Sequence, residues 1–254
     1  MNEFLKKIIV EAGDAAFEFQ VKAKVEYAKK SATDIVTDGD LLSNKIITDA
    51  IKEKYPEHAI LSEEGDHNLG EEYTWIIDPI DGTFNYSKGA PLFCVIIGLA
   101  YKKEMLIGAV YAPALKELYF AEKGKGAFLN DQKINPSDVT DISLGFGNAF
   151  TQIGPKRLDL LSKFTEEAKR RDFWLGSVGV LGVSLAWVAD GKRDWIVSRG
   201  GSIWDYAAPS LILTESGAKI SEMDGEPWVL KDDVNNILAA STNELHEYLV
   251  KMLK

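Results

Sequence analysis

The stretch that most limits what this chain can fold into reads Trp75-Ile76-Ile77-Asp78-Pro79-Ile80-Asp81-Gly82-Thr83. An apolar, strand-like run passes straight into two carboxylates, and Gly-Thr follows at once. A tight turn lets Asp78 and Asp81 point at one spot. Gly82 lets the backbone come close to a ligand, and the N–H groups after it are free to bind an anion. Carboxylates beside free N–H groups point to hard cations that themselves carry a phosphate.

Hydrophobic periodicity arranges the rest of the chain around that turn. Residues 3–28 predict an amphipathic helix, with Phe4, Leu5, Ile8, Ile9, Ala12, Ala15, Ala16 and Phe19 at helical spacing. A second helix is predicted over 40–54 and closes at Tyr55-Pro56. Residues 59–61 predict a short strand, and 71–77 lead into the carboxylate turn. Residues 92–101, 105–113 and 117–121 are rich in β-branched and aromatic residues and predict neighbouring antiparallel strands. A short strand pair with an Asn-Asp turn is expected over 124–134. The second half predicts helices at 155–171, 181–189, 206–216 and 245–253, with Gly217 as a stop. Its predicted strands are 173–175, 194–198, 218–220, 228–230 and 237–240. Stacked layers of helices and sheets follow, in a single domain over 1–254 with a soft boundary near 136–143.

Composition narrows the function classes. The net charge is −10 with a pI near 4.9, which argues against direct nucleic-acid binding, where a basic footprint is expected. The single cysteine, Cys94, lies in an apolar run and reads as a buried small hydrophobe. Neither a signal-peptide pattern nor an apolar run of the ~20 residues a membrane span needs is seen, so a cytoplasmic protein with no membrane partner is expected.

Asp40, Glu63, Asp78, Asp81 and Asp205 are the candidate ligands. Each has a plainer reading. Asp40 could be the N-cap of the helix it precedes, Glu63 part of a polar loop, and Asp205 a cap for the helix from Tyr206. Yet Glu63, Asp78 and Asp205 each follow an apolar strand or a Trp, at the mouth of a core where an unpaired carboxylate is costly. His58, His67 and His246 lie away from the acidic motifs, and an oxygen-only ligand set favours magnesium, with manganese as a substitute. No Gly-x-Ser-x-Gly elbow, Walker loop or dinucleotide fingerprint occurs; Gly124-Lys125-Gly126 and Gly145-Phe146-Gly147 read as turns.

Residues 75–83 resemble the first signature of the inositol monophosphatase family. Trp204-Asp205-Tyr206-Ala207-Ala208 with Glu215-Ser216-Gly217 resembles its second. Residues 30–40, Ser62-Glu63-Glu64-Gly65 and Gly124-Lys125-Gly126-Ala127-Phe128 are similar to further family motifs, in the family's order. The resemblance implies an α+β fold, a layered αβαβα sandwich of the inositol monophosphatase/fructose-1,6-bisphosphatase type. It implies a phosphatase with two or three Mg2+ ions, sensitive to lithium and usually homodimeric. By position, Glu63, Asp78 and the carbonyl of Ile80 would hold one metal, and Asp78, Asp81 and Asp205 a second. Glu63 with Asp40 nearby would hold a weaker third. Gly82 and Thr83 would cradle the phosphate, and Thr83 and Glu63 would orient the attacking water.

Substrate contacts depart from the family pattern. The substrate stretch reads Gly179-Val180-Leu181 where many members have Gly-Thr-Ala, and Ser198 and Arg199 stand near where an acidic residue is expected. Loss of a hydroxyl acceptor weakens selection for a polyol, while Arg199 suits a second phosphate or a carboxylate. Inositol 1-phosphate or a related small sugar phosphate comes first, then fructose 1,6-bisphosphate, then histidinol phosphate, nucleoside bisphosphates and NADP. A regulatory partner of the transcription machinery with dispensable catalysis is the alternative from another class.

Overall fold

The computed structural model describes residues 1–22, 27–31, 34–65, 69–151, 158–231 and 235–254. The first half runs α1 (Asn2–Lys22), β1 (Tyr27–Ser31), β2 (Asp34–Thr37), α2 (Asp38–Lys54), β3 (Ala59–Ser62) and β4 (Tyr73–Asp81). It continues with α3 (Thr83–Ser87), β5 (Cys94–Tyr101), β6 (Glu104–Ala112), β7 (Glu117–Glu122), β8 (Gly126–Leu129) and β9 (Gln132–Lys133). The second half runs β10 (Phe146–Thr151), α4 (Leu158–Ala168), β11 (Trp174–Gly176), α5 (Leu181–Ala189) and β12 (Trp195–Gly201). It ends with α6 (Ile203–Ser216), β13 (Lys219–Ser221), β14 (Asn235–Ala240) and α7 (Asn243–Leu253).

Strands β3 to β9 form a mixed sheet in sequence order, and the second sheet has the order β11-β10-β12-β14-β13. The alternation of the strands assigns their faces. Trp75 and Ile77 of β4, with Val95, Ile97 and Leu99 of β5, pack against Leu5, Ile8 and Ile9 of α1 and Ile47 and Ile51 of α2. Ile76, Cys94 and Ile96 face the other way, onto α5 and α6. Ile196 of β12 and Ile237 of β14 close that central layer from the second sheet. On the far face, Trp195, Val197 and Leu238 pack on Leu160 and Phe164 of α4 and Leu245 and Leu249 of α7. The result is the expected αβαβα stack. Each wholly buried Ile or Leu contributes ~1.5–3 kcal/mol.

Small residues let α6 lie close on the first sheet. A Cβ on Gly108 would come within 2.9 Å of Ala208 Cα. The Asn-Asp turn forms as expected: Asn130 and Asp131 have φ of 48° and 64°, joining β8 to β9.

Several elements differ from expectation. The first helix ends at Lys22 rather than 28, and Tyr27 and Ala28 belong to β1. Residues 228–230 have no strand pairing. The helix expected over 155–171 is α4, which ends at Ala168; residues 155–157 lie outside the described residues, as do His67 and part of the 30–40 motif. Strand β10 is masked in the sequence by Gly147, whose Cβ position the Trp195 ring occupies.

Candidate active site

Strand β4 delivers the first two carboxylates. Asp78 is on its central-layer face, in phase with Ile76, and is 1% exposed. Its Oδ1 accepts the N–H of Ile80 at 3.0 Å, closing a turn around Pro79. Ser43 of α2 donates to the Pro79 carbonyl at 2.8 Å and fixes the turn from outside. Glu63 follows β3, whose Ser62 pairs in parallel with Ile77, and the Glu63 N–H bonds the Ile77 carbonyl at 3.1 Å. That register sets Glu63 beside Asp78.

Helix N-termini hold the remaining acids, where the helix dipole favours a negative charge. Asp81 accepts the N–H groups of Leu181 at 3.1 Å and Gly182 at 2.5 Å, at the start of α5. It serves that helix as a cap supplied from another part of the chain. The Cys94 thiol donates to it as well, at 3.4 Å. Asp40 is the third residue of α2, not its N-cap: Thr37 is the cap, and its N–H donates to Asp40 Oδ2 at 2.9 Å. Asp205 repeats the arrangement at the third position of α6, accepting the Ser202 N–H at 2.6 Å. A Thr or Ser three residues before an acid is a readable sign of both caps.

Among the described residues, the carboxylate oxygens of Asp78, Asp81 and Asp205 come within 4.8 Å of one another. Burial raises Asp78 well above the usual carboxylate range, and the charges of Glu63, Asp81, Asp205 and Asp40 raise it further. Burial likewise raises Asp81 against the pull of the Gly182 and Leu181 N–H groups and the Cys94 thiol. Asp205 is raised by burial and by Asp81. Burial lifts Asp40 to about 6, opposed by its hydrogen bonds from Thr37. The charges that act most strongly on Asp78 are all carboxylates. Burial and repulsion disfavour joint ionisation of such a group, a bound cation would offset both, and the all-oxygen donor set fits a hard divalent ion.

Gly82 sits at φ 93° and caps α3. A Cβ there would lie 2.8 Å from Val180, so glycine is required on two counts. Thr83 donates from Oγ1 to the Ile80 carbonyl at 3.0 Å and lies 3.4 Å from Asp40 Oδ1, which brings Asp40 into the group.

The expected substrate residues divide. Gly179, at φ 71°, lies against Asn85, whose amide donates to the Leu92 and Val178 carbonyls at 3.0 and 2.9 Å. Val180 and Leu181 turn buried side chains into the core, and Leu181 meets the site through its N–H to Asp81. Ser198 is buried on the central face of β12 and bonds the Tyr206 hydroxyl at 2.8 Å. Arg199, in phase with Trp195 and Val197, faces α4 and pairs with Asp159 at 2.6 Å. The expectation of Arg199 as an anchor for substrate loses its support there, because strand alternation turns it away from the layer that carries the acids. His58 accepts from Trp75 Nε1 at 3.1 Å and His246 bonds Ser221 at 2.8 Å, in outer layers.

Two mixed sheets interleaved with helices, and a buried acid cluster between them, define a fold of the inositol monophosphatase/fructose-1,6-bisphosphatase type. The chain belongs to the inositol monophosphatase family, whose sequence profile matches residues 2–254. An inositol monophosphatase of Dictyostelium discoideum is 39% identical over 211 residues, covering 80% of this chain and 76% of its own. A fructose-1,6-bisphosphatase/inositol-1-monophosphatase of Thermotoga maritima is 33% identical over 198 residues, covering 78% and 75%. The solved extragenic suppressor protein suhB of Bartonella henselae superposes with a TM-score of 0.91 at 26% identity, covering 99% of this chain and 97% of its own. Family membership supports a phosphatase hydrolase with a cluster able to bind metal. Among the described residues, no helix is long and apolar enough to cross a membrane.

Proposed function

We propose that residues 1–254 act as one magnesium-dependent phosphomonoesterase domain that releases phosphate from inositol 1-phosphate or a related small sugar phosphate. The observation that carries this reading is the approach of Asp78, Asp81 and Asp205 within 4.8 Å in a buried setting. Glu63, Asp78 and the Ile80 carbonyl would hold one Mg2+, and Asp78, Asp81 and Asp205 another; Glu63 and Asp40 would hold a weaker third. Bound divalent cations supply Lewis acidity, which makes water more acidic and stabilises the charge growing on the leaving alcohol oxygen.

The chain's own groups do the positioning. The N–H groups of Gly82 and Thr83 open α3, where first-turn donors have no partner within the helix, and they hold phosphate oxygens. The Thr83 hydroxyl and the Glu63 carboxylate orient the attacking water. Val180 and Leu181 act through Asp81: their backbone starts α5, and α5 fixes both carboxylate oxygens. Fructose 1,6-bisphosphate is the second reading, favoured by the name of the Thermotoga maritima relative. With Arg199 bound to Asp159, a distal phosphate would have to be met elsewhere.

The test is phosphate release with Mg2+ from inositol 1-phosphate, fructose 1,6-bisphosphate, histidinol phosphate and NADP, with and without EDTA. Mg2+-dependent release led by inositol 1-phosphate is expected. Release that survives EDTA would overturn the metal role. Activity led by another ester would overturn the substrate assignment.

A further inference from the structure

Two motifs that the reaction leaves unused meet in space. Glu215, in the last turn of α6, accepts the N–H of Gly124 at 2.7 Å with Oε1 and that of Gly126 at 2.8 Å with Oε2. Both glycines have positive φ, 73° for Gly124 in the β7–β8 turn and 93° for Gly126 at the start of β8, so the chain there is shaped to present the two donors together. One carboxylate thus pins the C-terminal end of α6 to the first sheet through two charge-assisted bonds.

The other end of the same helix carries Asp205. The intervening surface carries no polar bond of its own to the first sheet among the bonds described. It is almost wholly apolar, with Ala207, Ala208, Leu211 and Ile212 buried, and apolar contact is non-directional. Ala208 rests on Gly98 and Gly108, which offer a smooth seat with no side chains. Directional contacts are found at the two ends: the Ser202–Asp205 and Gly201–Tyr206 bonds at the start, and the Glu215 clamp at the finish.

We propose that Glu215 is a positioning residue that fixes the axial placement of α6 and so the distance of Asp205 from Asp78 and Asp81. The inference rests on Asp205 being a metal ligand, as proposed above. It assigns the Gly124-Lys125-Gly126 motif a role: donors for the clamp, remote from the reacting atoms. Ten residues of helix at 1.5 Å each place the clamp ~15 Å from Asp205.

The experiment measures Mg2+ binding by titration calorimetry and thermal melts for the wild type, Glu215→Ala, Glu215→Gln, Asp205→Asn and Leu249→Ala. Glu215→Ala should weaken Mg2+ binding about three- to tenfold, up to the lower edge of the roughly 10–100-fold that direct partners of metal ligands give, since Glu215 acts from the far end of the helix. Glu215→Gln, which keeps one acceptor, should fall between it and the wild type, and it keeps the test alive if the alanine variant fails to fold. Leu249→Ala, a cavity in the outer α7 layer, should lower the melting temperature and leave Mg2+ affinity unchanged. Wild-type Mg2+ affinity in both Glu215 variants, with only a lower melting temperature, overturns the proposal. If Asp205→Asn binds Mg2+ as well as the wild type, the metal assignment fails instead, and this inference with it.

Discussion

Replacing Asp40 by asparagine is expected to stabilise the metal-free protein at neutral pH. The carboxyl is 1% exposed, and burial raises its pKa from 3.8 to about 6 despite the Thr37 donors, with Glu64 adding to the rise. In the unfolded chain the group titrates at its ordinary value. Between those two values the folded protein holds a proton that the unfolded chain has released. The stability tied to that proton is therefore fully present below about pH 4 and is lost as pH rises through about 6. A shift of about two units corresponds to about 3 kcal/mol. Asparagine cannot ionise, and its Oδ1 still accepts the Thr37 N–H, so the start of α2 keeps its cap.

For a chain of this size, about 3 kcal/mol moves the melting temperature by about 6–12 °C. Thermal melts in EDTA should show Asp40→Asn above the wild type by that amount at neutral pH, with the gap closing towards about pH 4. Comparing two proteins cancels the opposing contribution of His58 and His246, whose burial lowers their pKa values in both. Saturating Mg2+ should shrink the gap, because a cation stabilises the ionised carboxylate in the wild type. Parallel pH profiles for the two proteins in EDTA would refute the reasoning.

Asp78→Asn should lower phosphate release by more than about a hundredfold, beyond what loss of a supporting residue costs, yet melt no lower than the wild type in EDTA because it removes repulsion; near-normal turnover sinks the site assignment. Arg199→Ala should change kcat/KM less than about twofold for every ester tested, as expected of a surface ion pair; a large rise in KM for a bisphosphate would return Arg199 to the substrate. Gly82→Ala should destabilise by about 1–2 kcal/mol and cut activity, since a left-handed backbone and the Val180 contact both oppose a Cβ; a melt equal to the wild type would show that the turn adapts.

The centre of the molecule is legible in the sequence because the period of two is strict there. Trp75 and Ile77 on one face, with Ile76 and Asp78 on the other, place an acid on the central side of β4 by alternation alone. The edges are harder to read. Gly147 and its neighbours break the apolar pattern of β10, since the volume a side chain would fill belongs to Trp195, a contact between residues far apart in sequence. Asp40 and Asp205 read in the sequence as caps of the helices beside them; both lie one turn further in, as the acids that close caps begun by Thr37 and Ser202. Arg199 suits a ligand by its charge alone. The packing of Trp195 and Val197 on α4, in phase with Arg199, and its ion pair with Asp159 show which face it occupies.

The same donors that make the acid cluster tolerable also make it ready. Asp78 is held by the Ile80 N–H, Asp81 by the start of α5, Asp205 by Ser202 and Asp40 by Thr37. Each carboxylate is tied on one side to its own scaffold, so its remaining lone pairs are aimed without further ordering. The bonds to Asp40, Asp81 and Asp205 lower their pKa values, but burial outweighs them, neighbouring carboxylates add to the rise at Asp78, Asp205 and Asp40, and the balance stays raised for all four. The folded chain therefore carries a local strain that a bound divalent cation would relieve. Stability lost at the empty cluster and affinity gained for the cation are two views of one free energy. Substitutions that neutralise an acid should accordingly raise the melting temperature in EDTA and lower the further rise that Mg2+ produces, in the same order from Asp40 to Asp78.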